Sequence, residues 1–245
     1  MTRFGFSLLL LLLPFNLFAQ VFTPNPDWRF ENFNSQNHFI SRYINNLALD
    51  KHGYVWACSL GVQRFDGYRT IDFNSFEQAK GGLRDNATDV VADNSGRIWV
   101  SSAGLCYYDD ASGKFIYVEP DPKHKINAVF SLALQKNFLW FVCEHGLARI
   151  DLRSLKILFT SLTNVDNPLG SFSIDENTLL VSAREKMYVY NIKTNTYSSQ
   201  TLFYNHSLVK VLAAAVRGKD VFFRRQPGTI YAQKFKGCFT GKQWH

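Results

Sequence analysis

Asp50-Lys51-His52-Gly53-Tyr54-Val55-Trp56-Ala57-Cys58-Ser59-Leu60-Gly61-Val62-Gln63-Arg64-Phe65-Asp66-Gly67 decides the fold, because it returns. Its second copy is Asp93-Asn94-Ser95-Gly96-Arg97-Ile98-Trp99-Val100-Ser101-Ser102-Ala103-Gly104-Leu105-Cys106-Tyr107-Tyr108-Asp109. Gly53 and Gly96, Trp56 and Trp99, Gly61 and Gly104, and Asp66 and Asp109 each stand 43 residues apart. A third copy follows, with Trp140 41 residues after Trp99, and Gly146 and Asp151 each 42 after Gly104 and Asp109. A fixed period in the low forties is the signature of a repeat architecture.

Within the first copy, Tyr43–Asp50, Tyr54–Ser59, Val62–Phe65 and Tyr68–Phe73 read as strands, separated by Gly turns and by Asp66-Gly67. Four short antiparallel strands in one repeat make a propeller blade. The second copy offers Ala87–Asp93, Arg97–Ser102, Leu105–Tyr108 and Lys114–Glu119; the third offers Ala128–Gln135, Phe138–Cys143, Leu147–Ile150 and Leu155–Leu162. The fourth is degenerate: Leu179-Leu180 replaces Leu139-Trp140, and Asn191 replaces the turn aspartate. The fifth is fainter, with strands at Val209–Val216 and Val221–Arg225 and a weak strand signal around Cys238-Phe239. The expected fold is an all-β propeller of about five four-stranded blades, at residues 43–80, 84–120, 126–163, 170–204 and 208–245. Asp27–Phe33 alternates aromatic with polar residues and reads as a leading strand before the first blade.

The repeated residues have structural work. The Trp is a packing anchor between sheets, with an indole N–H suited to a backbone carbonyl. Asp50, Asp93, Asp66, Asp109 and Asp151 suit turns, where a carboxylate accepts backbone N–H bonds. A residue repeated in every blade serves every blade alike, so these aspartates are not candidate catalysts.

Of 245 residues, 46% are apolar, 16% aromatic and 19% charged, which fits a globular β protein. Net charge is +7, but the basic residues are scattered, which argues against nucleic acid as a partner. The four cysteines form no C-x-x-C pair and suit buried small side chains better than zinc ligands. No metal or cofactor site is expected, and no nucleophile or nucleotide-binding motif is present. Residues 1–20 read as a signal peptide: Arg3, six leucines from Leu8 to Leu13, Pro14, then Ala19 before the cut. The apolar run is shorter than the ~20 residues of a membrane span, and no later stretch is longer. The mature chain, 21–245, is therefore expected to be exported, without a membrane span.

Candidate function falls on non-repeated residues at one mouth of the propeller. Loops between second and third strands carry Glu144, His145, Arg184, Glu185, Arg224 and Arg225; loops entering the blades add Arg42, Arg84 and His124. Arg42, Arg84, Glu144, His145, Arg184 and Arg225 are the candidate ligand-binding residues, a set able to recognise an anion or a sugar by forked hydrogen bonds. The same positions alternatively form a plain solvated rim.

Asn45 to Trp56, followed by Leu60 to Tyr68, resembles the two-component regulator propeller repeat: an apolar strand, Asp-x-x-Gly-x-apolar-Trp, a short strand, and an aromatic-Asp turn. That family comprises periplasmic sensors of Bacteroidota, mainly hybrid histidine kinases. The resemblance implies a non-catalytic, periplasmic sensing propeller for oligosaccharides or related nutrients. It does not extend to the β-sandwich, membrane helix and kinase region of such sensors, so kinase activity is not carried over. Two architectures stay open: a closed five-bladed ring completed by the leading strand, and an open arc from the amino-terminal part of a longer sensor. A small secreted glycoside hydrolase or lyase, with Glu144 and Glu185 as its carboxylates, and a scaffold for another protein are the alternative functions.

Overall fold

Every described blade is a meander, because each strand turns back on its predecessor. The computed structural model describes residues 39, 41, 43–74, 82–119, 125–163, 165–166, 168–183 and 186–200, except the side chains of Asn74, Leu169, Phe172, Ile174 and Gln200. For 203–204, 207–208, 211–217, 220–225 and 230–234 it describes backbone strands. The chain divides into Met1–Asn32 and Phe33–His245, and all described residues lie in the second unit. The expected signal peptide and the leading strand at 27–33 lie outside the described residues.

Blade 1 holds β1 (Asn46–Leu49), β2 (Val55–Cys58), β3 (Gly61–Phe65) and β4 (Thr70–Asn74). Blade 2 holds β5 (Asp89–Ala92), β6 (Ile98–Ser102), β7 (Gly104–Asp109) and β8 (Lys114–Val118). Blade 3 holds β9 (Val129–Gln135), β10 (Phe138–Cys143), β11 (Gly146–Asp151) and β12 (Ile157–Phe159). Blade 4 holds β13 (Pro168–Asp175), β14 (Thr178–Ala183), β15 (Met187–Asn191) and β16 (Thr196–Gln200). Each is a four-stranded sheet in chain order. A hairpin of β17 (Phe203–Tyr204) and β18 (Ser207–Leu208), not anticipated from the sequence, precedes a three-stranded sheet of β19 (Val211–Arg217), β20 (Asp220–Arg225) and β21 (Ile230–Lys234). A fourth strand for this last sheet, expected within 237–245, lies outside the described residues.

First strands contact one another in succession, β1 with β5, β5 with β9, β9 with β13 and β13 with β19, so they line the inner side of an arc of blades. The second strands of blades 2 and 3 are buried and largely apolar because each is covered on both faces by neighbouring sheets. Ile98–Ser102 is buried at every residue. Trp56 packs with Val90, Val100, Cys106 and Phe115 of blade 2; Trp99 packs with Leu132, Phe141 and Ile150 of blade 3; Trp140 packs with Leu179, Val181 and Tyr190 of blade 4. Each Trp thus anchors its blade to the next, and every such buried side chain stabilises the arc by about 1.5–3 kcal/mol.

The indole N–H does not find a backbone carbonyl, as the sequence suggested. Trp56 Nε1 donates to Asp50 Oδ2 at 2.8 Å and Trp99 Nε1 to Asp93 Oδ2 at 2.9 Å. The other oxygen closes the turn: Asp50 Oδ1 accepts the N–H of His52 and Tyr54, and Asp93 Oδ1 those of Ser95 and Arg97. One carboxylate therefore fixes turn and anchor together. Blade 3 substitutes Gln135, whose Oε1 accepts from Trp140 at 3.1 Å.

Cationic side chains cover the anchors. The Arg64 guanidinium lies 5.5 Å from the Trp56 ring, Arg97 5.5 Å from Trp99 and Arg149 5.4 Å from Trp140. Arg64 and Arg149 reach their Trp from the cross-strand partner position; in blade 2 Tyr107 occupies that position and Arg97 comes from β6's own approach.

A polar seam joins the inner strands. Asp89 of β5 accepts from Asn46 Nδ2 of β1, and from the Leu132 N–H of β9 at 2.8 Å and Ser131 Oγ at 3.4 Å. Ser131 Oγ in turn accepts the Ser171 N–H of β13 at 2.9 Å. Burial pushes the Asp89 carboxyl above its ordinary range, with these hydrogen bonds opposing the shift. Thr88 Oγ1 donates to the Val129 carbonyl and Gln135 Nε2 to the Asp175 carbonyl, adding two further ties between blades.

Candidate functional site

The loops entering the blades and the turns between second and third strands lie together at one end of blades 2 and 3. In both blades the residue two before the turn glycine ties down the entry loop. Ser102 Oγ donates to the Asp85 carbonyl at 2.8 Å. Glu144, one blade on, does the same task with a carboxylate: Oε1 accepts the Asn127 N–H at 2.6 Å and Oε2 the Ala128 N–H at 3.2 Å. Glu144 was singled out because it is not repeated. Its identity is unique, but its position and its work are those of the repeat.

Glycine sets the turn beside it. Gly104 and Gly146 have φ of 112° and 101°, a region most L-residues avoid. A Cβ at Gly146 would strike the Leu162 carbonyl oxygen and lie 2.7 Å from the Thr163 backbone. A Cβ at Gly104 would stand 3.1 Å from the Ile126 oxygen and 3.2 Å from the Tyr117 ring.

Arg84 sits on this end with its guanidinium 3.8 Å from the Tyr117 ring centre and 3.5 Å from Glu119 Oε1. Its own N–H donates to Tyr117 Oη at 2.7 Å. Burial, then the neighbouring Cys106, pushes the Tyr117 hydroxyl up to about 12, so it stays protonated. Glu119 Oε2 accepts the Ile126 N–H at 3.3 Å. His145 Nε2 lies 3.1 Å from the Lys125 carbonyl oxygen and 3.8 Å from Glu144 Oε1, and its ring meets Phe159 edge-on. Arg84, Tyr117, Glu119, Glu144 and His145 thus form one continuous polar rim, linked through backbone groups of 125–128. Tyr117, Glu119 and Lys125 were not read from the sequence.

Of the expected ligand-binding set, the structure brings Arg84, Glu144 and His145 to this rim. Arg42 and Arg184 lie outside the described residues, as do His124 and Glu185. Arg225 ends β20, paired with Val211 in the backbone register. Both Glu144 oxygens hold backbone amides, and Glu185, the other carboxylate of the hydrolase alternative, lies outside the described residues. Among them, no group of three His, Cys, Asp or Glu side chains is arranged to hold a metal ion. Cys58, Cys106 and Cys143 are buried free thiols. Burial pushes Cys58 up to about 12, Cys143 up to about 11, and Cys106 up as well, which makes them poor nucleophiles. Among the described residues no helix is long and apolar enough to cross a membrane.

No family model and no curated protein matches the chain. Solved structures do share its fold. The extracellular domain of a hybrid two-component system from B. thetaiotaomicron superposes with a TM-score of 0.62 at 16% identity, over 81% of this chain and 28% of that one. A second such domain from the same organism gives 0.62 at 13% identity, over 84% of this chain and 35% of that one. A gluconolactonase from Xanthomonas campestris gives 0.54 at 11% identity, over 77% and 71%. The chain is an all-β propeller of the architecture found in extracellular domains of hybrid two-component systems. It spans no more than about a third of the length of those domains.

Proposed function

We propose that this chain is a non-catalytic, extracytoplasmic ligand-sensing propeller of a two-component signal-transduction system, and forms the amino-terminal part of a longer sensor. The observation that carries the reading is the fold shared with extracellular domains of such systems over more than four-fifths of this chain. The apolar run at residues 4–13 supports export. The ligand is an oligosaccharide or another small polar or anionic molecule, and its site is the rim of blades 2 and 3. Arg84, its guanidinium over the Tyr117 ring, carries the forked donor set that carboxylates and sugar hydroxyls take up. Signal output then belongs to membrane and kinase segments outside this chain.

The test is the thermal midpoint of residues 21–245 with a panel of neutral and acidic oligosaccharides. A ligand that binds only the folded state stabilises it by about 2.7 kcal/mol at a hundredfold excess over Kd. One glycan class is expected to raise the midpoint, and Arg84→Ala to remove the rise while leaving a cooperative melt. A panel without effect, or a rise untouched by Arg84→Ala, overturns the assignment.

A further inference from the structure

The rim of blades 2 and 3 is negative although the chain is basic. The segments that build it, 82–86, 102–104, 117–119, 125–128 and 143–147, carry two cations, Arg84 and Lys125, against three carboxylates, Asp85, Glu119 and Glu144. The chain as a whole has a formal charge of +7, with histidines neutral. Residues 120–124, between two of these segments, add one charge of each sign, Asp121 and Lys123. An anionic ligand approaching Arg84 therefore meets more negative than positive charge.

The three carboxylates are committed differently. Glu144 gives one oxygen to the Asn127 N–H at 2.6 Å and the other to the Ala128 N–H at 3.2 Å. Asp85 turns Oδ1 onto the N–H of its neighbour Asn86 at 2.7 Å. Glu119 is paired with Arg84: its Oε1 stands 3.5 Å from Arg84 Nη1, and its Oε2 accepts the Ile126 N–H at 3.3 Å. Both contacts are long, and an ionised carboxylate has about four lone-pair sites, so Glu119 keeps acceptor capacity. The pair is open to a ligand, with side chains 52% exposed at Arg84 and 37% at Glu119. Tyr117 fixes its place, with its ring centre 3.8 Å from the guanidinium and its Oη accepting the Arg84 N–H at 2.7 Å.

A guanidinium only donates and an ionised carboxylate only accepts. Side by side, they suit a ligand that accepts and donates at once, as sugar hydroxyls do. A vicinal diol takes an N–H from Arg84 on one oxygen and gives an O–H to Glu119 from the next. A uronate carboxylate accepts from Arg84 but has no proton for Glu119, and it meets the Glu119 charge. We propose that Glu119 is a specificity-determining residue of this rim: paired with Arg84, it selects neutral, hydroxyl-bearing glycans over their uronic-acid counterparts. This selection rests on the reading of the rim as the ligand site.

The full chain, purified from the cells that make it, is titrated by calorimetry with a panel of neutral oligosaccharides, each matched by a uronic-acid oligosaccharide of the same linkage, at about 50 and about 500 mM NaCl. The expected binder is a neutral member, at least about tenfold tighter than its acidic match, with an affinity that changes less than about twofold with salt. Glu119→Gln removes the charge and keeps an oxygen for the Ile126 N–H. It is expected to weaken the neutral glycan about five- to tenfold and to strengthen the acidic match, with a melting midpoint within about 2 °C of the parent. Equal or tighter binding of an acidic member by the parent, or a Glu119→Gln variant that weakens both members alike, overturns the selection and leaves rim sensing standing. A panel in which nothing binds, or a neutral glycan whose affinity survives Arg84→Ala, removes the ligand site and the selection with it. If Glu119→Gln does not fold, the matched affinities and salt dependence of the parent decide.

Discussion

Asp93 does two jobs with its two oxygens, and that division explains why the repeat keeps an aspartate six residues before its tryptophan. Oδ1 closes the turn through Ser95 and Arg97, and Oδ2 orients the Trp99 indole. A double-mutant cycle between Asp93→Asn and Trp99→Phe, read by urea denaturation, is expected to give a coupling of about 1.5–3 kcal/mol, the range for hydrogen bonds to a charged group. Burial alone raises the Asp93 carboxyl, but the bonds from Ser95, Trp99 and Arg97 outweigh it and hold it below the ordinary range. Its folded value is thus below its unfolded value of about 3.9. The stability it contributes is present above about pH 4 and is lost as pH falls through the folded value. Stability measured from pH 6 down to pH 2 is expected to fall less steeply in Asp93→Asn than in the parent; identical acid limbs would contradict this. The motif was legible at this scale and the partner was not. Spacing marked Asp and Trp as recurring together, but the indole's acceptor depends on how the turn folds the carboxylate back over β2 or β6.

Turns and seams decide the elements. The three glycines Gly53, Gly104 and Gly146 all have positive φ but differ in their surroundings. Nothing lies within 4 Å of a Cβ at Gly53, Gly104 has contacts near 3.1 Å, and Gly146 faces backbone that cannot yield. Alanine at Gly53 is expected to cost about 1 kcal/mol from φ alone. Gly104→Ala should cost more, and Gly146→Ala about 3 kcal/mol or above, the order being checked by chemical denaturation. Asp89 is the corresponding point for the joints between blades. Removing it as Asp89→Ala leaves the Leu132 N–H and Asn46 amide without their acceptor, at an expected cost of about 2–4 kcal/mol in urea unfolding. Because burial raises the Asp89 carboxyl, its contribution is largest below its unfolded value and declines as pH rises through the folded one, opposite to Asp93. The first three blades were legible to within two or three residues for most strands, because Gly turns and apolar runs alternate cleanly there. The fourth strand of blade 3 was overextended. Leu155 takes φ of 57° and donates its N–H to the Asp151 carbonyl, so it belongs to the turn and the strand begins at Ile157. Asp89 was passed over inside a strand read as apolar, although Asn46 stands 43 residues before it in the same register. A polar residue recurring at an inward position was the available signal.

Across the described blades, the arc is a set of near-identical joints, with a polar rim at one end of blades 2 and 3. The same construction explains what sequence alone could place there. Arg84, Glu144 and His145 could be singled out because they break the repeat, but their mutual arrangement depends on the entry loops 82–86 and 125–128, which have no repeat pattern to read. Tyr117 and Glu119 come from the end of a fourth strand, a part of the blade that looked purely structural. The central claim is that this rim is where a ligand is sensed. Hydrogen–deuterium exchange of residues 21–245, with and without the glycan that raises the thermal midpoint, tests it most directly. The account predicts ligand protection at 82–86, 102–104, 117–119 and 125–128, with 143–147 following. Protection confined to the Asp50 and Asp93 turns at the opposite end, or no protection at the rim under saturating ligand, would contradict it.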